Sequence, residues 1–141
     1  MLTISANNKF NNDTDRLFFI DKEIPHPDEV FKFNARVQGG KIYLRWDIKE
    51  GCYLYLDKFS FVDKKLNTKL DASFPSGKIL EDEYFGRVEV FFDALEVVLD
   101  IGKGFEKEIT ATYQGCNKKG YCYTPVKKIL FIKKSGLKIG I

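Results

Sequence analysis

Apolar and polar residues alternate along two neighbouring stretches near the start of the chain. In residues 31–37 and again in residues 41–49, every second residue is apolar, and Gly39-Gly40 separates the two stretches. A period of two places the apolar side chains on one face of a β-strand, and a glycine pair is a turn signal. The pattern predicts a β-hairpin, and we expect Trp46 on its apolar face to fill the core.

Further short segments have the composition of strands. They are rich in β-branched and aromatic residues, and polar or glycine-containing turns separate them. These segments cover residues 52–56, 59–62, 88–91, 95–101, 105–113 and 126–132. No stretch has a convincing helical period. Many short strands with closely spaced turns predict an all-β protein, an antiparallel β-sandwich.

The length of 141 residues suits one domain. Residues 1–16 are rich in asparagine and aspartate, and we expect a flexible N-terminal segment there. The domain itself is predicted to occupy residues 17–132. Residues 133–141 contain two glycines and are predicted to be a linker.

Composition and charge narrow the classes of function. With 23 basic and 20 acidic residues, the net charge of +3 is too balanced to indicate a nucleic-acid partner or a charged membrane surface. Binding of single-stranded nucleic acid through aromatic and basic residues is therefore disfavoured. The chain has no apolar run of about 18 residues, and its N-terminus lacks the layout of a secretory signal.

Two cysteines lie on either side of a short polar turn. Cys116 and Cys122 are flanked by β-rich segments, and Gly115 and Gly120 are expected to supply positive φ angles, so the stretch predicts a hairpin with one thiol on each arm. If the two cysteines face each other, their Cα atoms lie about 4.5–5.5 Å apart, close enough for a disulfide.

The same register would extend into the longer strands on either side of the hairpin. It places Ile109 opposite Ile129, two apolar residues that can share the core face. The open alternative is a bulge at Thr124-Pro125, which would shift this register.

The residues alone leave two interpretations of the cysteine pair open. One is a reversible dithiol that exchanges with a partner. The other is a structural disulfide in a secreted binding module, with Tyr121 and Tyr123 exposed for ligand contact. A disulfide that closes a loop of about seven residues adds only about 2.4 kcal/mol to the stability of the fold. This small gain favours a redox role of the cysteines over structural support. Because disulfides belong to oxidising compartments, we expect that a native leader has been removed.

A metal site is disfavoured by the spacing of the candidate ligands. The hairpin cysteines are separated by more residues than in a thioredoxin-type motif, and zinc would need Cys52 and His26 from distant loops. We expect no metal and no cofactor. His26, which lies between two prolines, is predicted to be a surface loop residue.

Several motifs carry a resemblance to a known family. The hairpin stretch Thr-Tyr-Gln-Gly-Cys, then Gly-Tyr-Cys-Tyr and Pro125, resembles the active-site hairpin of the N-terminal periplasmic domains of DsbD, the bacterial thiol:disulfide interchange proteins. Other family segments are matched in the same order: a strand, a Gly-Tyr-Tyr-Leu-Tyr segment, a proline-glycine loop and a cap loop. They are similar to residues 46–49, 51–55, 74–77 and 81–86, and the likeness covers about residues 31–132.

The resemblance implies an immunoglobulin-like sandwich with a redox-active cysteine pair. By that likeness Cys122 forms the mixed disulfide with a partner and Cys116 resolves it. A cap loop would shield the sulfurs until a partner docks, and it comprises Asp82, Glu83, Tyr84, Phe85 and Gly86. The residues that would support the hairpin are Tyr121, Tyr123 and Pro125.

The family also implies partners and a location. Such a domain is a protein-disulfide reductase module that takes electrons from the thioredoxin-like C-terminal domain of the same protein. It passes them to periplasmic thioredoxin-fold proteins, namely disulfide isomerases and the cytochrome c maturation reductase. The full-length protein would be embedded in the inner membrane, with this domain soluble, monomeric and periplasmic. Residues 133–141 would lead towards the membrane domain.

The sequence departs from the family pattern at two places. The family commonly has Phe then Tyr in the cap, whereas here Tyr84 precedes Phe85, so the sequence leaves open which ring covers the disulfide. Cys52 stands where the family usually has an aromatic residue. We expect a buried, inert thiol there, and mispairing with the hairpin cysteines is the open alternative.

Overall fold

Strands form most of the computed structural model, which describes residues 24–102 and 106–141. The strands of these residues, in chain order, are β1 Phe31–Gln38, β2 Lys41–Ile48, β3 Cys52–Tyr55, β4 Ser60–Asp63, β5 Thr68–Lys69, β6 Ala72–Ser73, β7 Lys78–Asp82, β8 Gly86–Phe91, β9 Ala94–Asp100, β10 Lys107–Tyr113, β11 Gly115–Asn117, β12 Tyr121–Cys122, β13 Val126–Lys133 and β14 Gly136–Gly140. Within the same residues, helical structure is limited to a turn, α1 Pro27–Val30, and a 3-10 turn at Leu56–Lys58.

The strands form three antiparallel sheets. One sheet has the order β1-β2-β9-β6, and a second has the order β14-β13-β10-β4-β5. The third sheet, which we call the hairpin sheet, has the order β12-β11-β3-β8-β7 and carries both hairpin cysteines. Buried side chains from all three sheets belong to one apolar cluster. The predicted antiparallel all-β architecture is confirmed.

The first hairpin folds as the alternation predicts. Trp46 is fully buried on β2, and its ring lies 4.8 Å from that of Phe33, the residue directly opposite on β1. The ring of Tyr113 on β10 contacts the Trp46 indole from the facing sheet at 5.2 Å. Gly39 and Gly40 form the turn with φ angles of +58° and +77°. The expectation that Trp46 fills the core is confirmed.

The structure adds elements that the pattern did not indicate. The strands Thr68–Lys69, Ala72–Ser73 and Lys78–Asp82 are short and rich in polar residues, so neither alternation nor composition marks them. A helical turn starts at Pro27, which needs no backbone N–H at that position. The exposed His26 caps this turn by accepting a hydrogen bond from the Asp28 N–H at 3.1 Å.

The predicted linker at residues 133–141 is wrong as a description of its structure. Gly136–Gly140 forms an edge strand that pairs with β13, with Leu137 opposite Ile132 and Ile139 opposite Leu130. A tight turn before Gly136 returns the chain, and alternating apolar residues then continue the sheet. That this segment leads towards a membrane domain stays a prediction. Residues 1–16 and the predicted strand start at 105 lie outside the described residues.

The core contains a buried phenol with an unsatisfied hydroxyl. Tyr113 is fully buried, and its hydroxyl has no hydrogen-bond partner among the residues the structure describes. A buried polar group without a partner costs about 1–3 kcal/mol. We therefore expect Tyr113→Phe to raise the free energy of unfolding by about 1 kcal/mol at neutral pH, measured by urea denaturation. A destabilised variant would contradict this account.

The same residue predicts a loss of stability at alkaline pH. Burial raises the pKa of the Tyr113 phenol from 10.0 to about 12. Between these two values the unfolded chain has released the proton while the folded state retains it. The free energy of unfolding therefore falls as pH rises, by about 1.4 kcal/mol per pH unit for this group. In Tyr113→Phe, the free energy of unfolding should therefore decline less steeply with pH in this range, by about 1.4 kcal/mol per pH unit.

Candidate functional site

The two hairpin cysteines form a disulfide across neighbouring strands. Cys116 on β11 lies directly opposite Cys122 on β12, as the sequence predicts, and their sulfurs are bonded. The Tyr123 N–H donates to the Gly115 carbonyl at 3.0 Å, so the cysteines occupy the adjacent non-hydrogen-bonded position. Cα atoms approach most closely at such positions, and here they lie 3.9 Å apart, less than the predicted 4.5–5.5 Å.

The register of the hairpin does not continue into the longer strands. Ile109 lies opposite Leu130, and Ile129 lies opposite Thr110, so the predicted pairing of Ile109 with Ile129 is wrong. The return arm holds one additional residue around Pro125, between β12 and β13. Proline donates no ladder hydrogen bond, and an unpaired residue at such a point shifts the register by one.

The sequence suggested that Gly115 supplies a positive φ angle, but this prediction is wrong. Glycine is required here because two strands approach each other closely. A Cβ atom at this position would lie 2.3 Å from the carbonyl oxygen of Tyr53 and 2.6 Å from Cζ of Phe31. Gly120 in the hairpin turn does have a positive φ, +106°. The absent side chain at Gly115 lets β11 pair closely with β3 and seats the hairpin against the sheet.

Tyr55 and Asp82 lie at the buried sulfur of the disulfide. The Tyr55 hydroxyl is 3.0 Å from Sγ of Cys116 and is hydrogen-bonded to Oδ2 of Asp82. All three residues are buried. Burial and the hydrogen bond to Asp82 raise the pKa of the Tyr55 phenol, so the hydroxyl stays protonated at neutral pH. The sequence placed Asp82 in the cap but assigned no role to Tyr55.

The signal for Tyr55 was its position within the strand. Tyr53 and Tyr55 are two residues apart on β3, so both point to the face of the hairpin sheet that carries Cys116. Their rings contact each other edge to face at 5.4 Å. Without the register between β3 and β11, the sequence does not indicate which face the sulfur occupies.

The predicted cap residues form the turn between β7 and β8, beside the hairpin. Asp82 starts this turn by accepting a hydrogen bond from the Tyr84 N–H at 3.0 Å, and Glu83 is exposed. Gly86 begins β8 with a φ of +76°. The Tyr84 hydroxyl donates to the Gly120 carbonyl and so joins the cap to the hairpin turn.

The two cap rings make different contacts. Phe85 packs edge to face on Tyr55 at 5.0 Å, over the residue that contacts the buried sulfur. Tyr84 instead reaches the hairpin turn through its hydroxyl. Both rings remain partly exposed, at 48% for Tyr84 and 44% for Phe85. The reversed Tyr-Phe order thus divides the contacts of the cap between the ring of Phe85 and the hydroxyl of Tyr84.

The hairpin is supported by aromatic residues on its return arm. The rings of Tyr121 and Tyr123 are 5.8 Å apart, and the Tyr123 ring contacts Phe31 at 5.5 Å. The Tyr123 hydroxyl donates to the Pro25 carbonyl at 2.9 Å, and burial raises the pKa of this phenol. Tyr123 is buried and Tyr121 half-buried, so the expectation of two exposed tyrosines for ligand contact is wrong. Pro125 is exposed beyond β12.

Cys52 lies on the opposite face of the hairpin sheet from the disulfide. It is opposite Asn117, whose amide donates to the Cys52 sulfur at 3.3 Å, whereas Cys116 is opposite Tyr53. Adjacent residues of a strand point to opposite faces, so Cys52 cannot reach the hairpin sulfurs while β3 keeps this register. The predicted burial of Cys52 is confirmed, and burial raises the pKa of its thiol.

The described residues contain neither a cluster of metal ligands nor a helix that could span a membrane. No group of three or more histidine, cysteine, aspartate or glutamate side chains in these residues is arranged to hold a metal ion. In the same part of the chain, no helix is both long and apolar enough to cross a membrane.

Comparison with known protein families and curated sequences gives a consistent result. A family model described as "Thiol:disulfide interchange protein DsbD, N-terminal" matches residues 21–134. The chain is 36% identical over 106 residues to the thiol:disulfide interchange protein DsbD of Vibrio cholerae. The matched region covers 74% of this chain and 18% of that protein. A similar relative is DsbD of Photorhabdus laumondii, which is 36% identical over 104 residues. This match covers 73% of this chain and 18% of that protein. The chain therefore spans about a fifth of the length of these relatives.

Solved structures give the same result at the level of the fold. The Neisseria meningitidis DsbD N-terminal domain in its reduced form matches with a TM-score of 0.75 and 29% identity, covering 86% of this chain and 98% of that one. A second match comes from the complex between the DsbD and PilB N-terminal domains of the same organism, with a TM-score of 0.70 and 28% identity. It covers 82% of this chain and 92% of the matched chain. The immunoglobulin-like sandwich that the resemblance implied is confirmed.

Proposed function

Because the chain belongs to the family of DsbD N-terminal domains, we propose that it is a thiol:disulfide exchange module whose Cys116–Cys122 pair cycles between disulfide and dithiol. One observation carries the proposal. The disulfide lies on a hairpin that is joined to the neighbouring cap by the Tyr84–Gly120 hydrogen bond, with a buried tyrosine and a buried carboxylate at one sulfur. A purely structural bridge in a domain with a large core needs none of these groups.

The two sulfurs differ in exposure, which supports a division of roles. Cys122 is half-buried, whereas Cys116 is fully buried. In the reduced domain the Cys122 thiolate attacks the partner's disulfide, forms a mixed disulfide and releases one partner thiolate. Cys116 then attacks the Cys122 sulfur, and the partner leaves with both sulfurs reduced. Two electrons and two protons pass to the partner, and the second exchange is fast because it is intramolecular.

The resolving step requires Cys116 to lose its proton. The Tyr55 hydroxyl is 3.0 Å from its sulfur and is hydrogen-bonded to Asp82. In this proposal the thiol proton moves to the Tyr55 oxygen as the phenolic proton moves to Asp82. The raised pKa of Tyr55 suits such a relay, because the phenol transfers a proton without remaining ionised.

The proposed partners are other domains with a reactive disulfide or dithiol. Electrons would come from a thioredoxin-like C-terminal domain of the same protein. The match covers only 18% of the length of the Vibrio relative, which leaves room for such a domain in the relatives. They would pass to periplasmic thioredoxin-fold proteins, the disulfide isomerases and the reductase of cytochrome c maturation. The related Neisseria domain in complex with the PilB N-terminal domain supports docking of another protein domain on this fold. An oxidising compartment such as the periplasm suits the disulfide.

A redox titration of the isolated chain followed by thiol trapping tests the proposal. We expect a reduction potential in the range of exchange proteins, about −180 to −270 mV, and a trapped mixed disulfide with a thioredoxin-fold partner. A potential well below about −300 mV would instead indicate a structural bridge, and the chain would then be a binding module.

The proposed lid function of the cap predicts a change in reactivity. Substituting glycine for both Tyr84 and Phe85 removes the ring contact with Tyr55 and the hydrogen bond to Gly120. Contacts of this kind are worth about 0.5–1.5 kcal/mol each, so the reduced domain should react about tenfold faster with a small neutral disulfide in stopped-flow assays.

The contribution of the Tyr84 hydroxyl can be measured separately. Tyr84→Phe keeps the ring and removes only the hydrogen bond to Gly120, so we expect an acceleration of about threefold. Tyr43→Phe, which changes a half-buried tyrosine on the first sheet, is the matched control and should leave the rate unchanged. If the double glycine variant reacts at the native rate, the loop is not a lid.

A further inference from the structure

Three lysines from separate elements lie over the aromatic rings that flank the disulfide. Nζ of Lys58, at the end of the 3-10 turn, lies 4.4 Å from the centroid of Phe85. Nζ of Lys118, in the hairpin turn, lies 4.8 Å from the centroid of Phe92, and that of Lys78, at the start of β7, lies 5.9 Å from the same ring. We call these three residues the lysine collar.

The two rings beneath the collar pack on Tyr55 and Tyr53, which lie on the same face of the hairpin sheet as Cys116. Phe85 packs on Tyr55, whose hydroxyl contacts the Cys116 sulfur. Phe92 packs at 5.5 Å on Tyr53, which lies directly opposite Cys116 on the neighbouring strand. The collar therefore places positive charge around the site where a partner must approach.

No ion pair among the described residues neutralises the collar charges. Within the described residues, none of the three lysines has a carboxylate within ion-pair distance. Asp82, on the same face, is buried and already accepts hydrogen bonds from Tyr55 and Tyr84. Glu83 at the cap is exposed, as are Asp57, Glu81 and Asp93, but none of these carboxylates forms an ion pair with a collar lysine within the described residues. Cation–π contacts with the aromatic rings hold the ammonium groups in place.

We propose that the lysine collar is a docking surface for a protein that carries aspartate and glutamate side chains around its reactive disulfide. The inference rests on the proposed exchange function and specifies the chemistry of the partner. Opposite charge raises the rate of encounter at exposed sites, and salt screens the effect. An acidic residue that pairs with Lys58 also draws the ammonium from Phe85, which weakens the cap contact as the partner arrives.

Peptide disulfides that differ only in charge test the collar. The probes are oxidised Cys-Gly-Pro-Cys peptides flanked on both sides by glutamate, glutamine or lysine, mixed with the reduced domain. At about 20 mM ionic strength we expect the glutamate peptide to be reduced about tenfold faster than the lysine peptide, and the ratio should approach one at about 0.5 M salt.

Two triple variants separate the collar from net charge. Lys58→Gln, Lys78→Gln and Lys118→Gln together should abolish the charge preference, so that the glutamate, glutamine and lysine peptides are reduced at equal rates. The control changes exposed lysines of the other two sheets in the same way and should keep the preference. Its substitutions are Lys41→Gln, Lys69→Gln and Lys138→Gln.

The outcomes distinguish the collar from the exchange function. Equal rates for the three peptides with the native domain, or loss of the preference in the control variant, would overturn the collar while the exchange function stands. If the domain reduces none of the peptides, the exchange function is overturned and the collar with it.

Discussion

Reduced domain carrying Cys122→Ala is expected to transfer no electrons to an oxidised thioredoxin-fold partner, whereas Cys116→Ala should accumulate a mixed disulfide with that partner. In the proposed mechanism, the half-buried Cys122 attacks the partner's disulfide. Removing it eliminates the attacking thiolate. Removing the fully buried Cys116 leaves the attack intact and eliminates the thiol that resolves the intermediate.

Alkylation of free thiols followed by non-reducing electrophoresis measures both outcomes. Turnover should be absent in Cys122→Ala. In Cys116→Ala it should fall by several orders of magnitude, because the intramolecular second step contributes a very large effective concentration. Cys52→Ala is the matched control, since that thiol lies on the other face of the sheet and should leave turnover unchanged. Electron transfer that persists in Cys122→Ala would show that the roles of the two sulfurs are assigned wrongly.

Gly115→Ala is expected to destabilise the domain by about 3 kcal/mol. The added Cβ would lie 2.3 Å from the Tyr53 carbonyl oxygen, which belongs to the backbone of β3 and cannot rotate away. It would also meet the Phe31 ring at 2.6 Å. The strands must separate at this point, and Cys116, the next residue, then moves away from the Tyr55 hydroxyl.

Urea denaturation of the oxidised variant measures the loss of stability, and the exchange rate should fall with it. Gly39→Asn is a matched control, because Gly39 has a positive φ of +58° with open space around it, and asparagine tolerates that conformation. We expect the control to change the free energy of unfolding by less than about 1 kcal/mol. A Gly115→Ala variant as stable as the control would show that close strand pairing does not seat the hairpin.

Sequence patterns predict best those features that short-range chemistry determines. The first hairpin follows from strict alternation over two strands and a glycine pair, because a one-residue shift would turn every apolar side chain outwards. The facing cysteines follow from a short turn that leaves few possible registers. The position of Trp46 in the core follows from its apolar neighbours on β2.

Features that depend on contacts between distant segments were missed. The strand Gly136–Gly140 resembles a linker in composition. It is a strand because it pairs with β13, and this pairing is not visible in its own residues. The register of Ile109 depends on one extra residue near Pro125, whose effect appears only when both arms are paired. Tyr55 and Asp82 are 27 residues apart and meet only because β3 and β7 flank β8 in the same sheet.

The sequence by itself determined the all-β class, the first hairpin and the pairing of Cys116 with Cys122, because each depends on residues a few positions apart. Tertiary structure decided which face of the hairpin sheet each sulfur occupies and which groups surround it. It brought Tyr55 and Asp82 to Cys116, separated Cys52 from the disulfide and placed three lysines over the rings of Phe85 and Phe92. Side-chain period and turn chemistry act along the chain, whereas the order of strands in a sheet is set by burial of surfaces from distant segments.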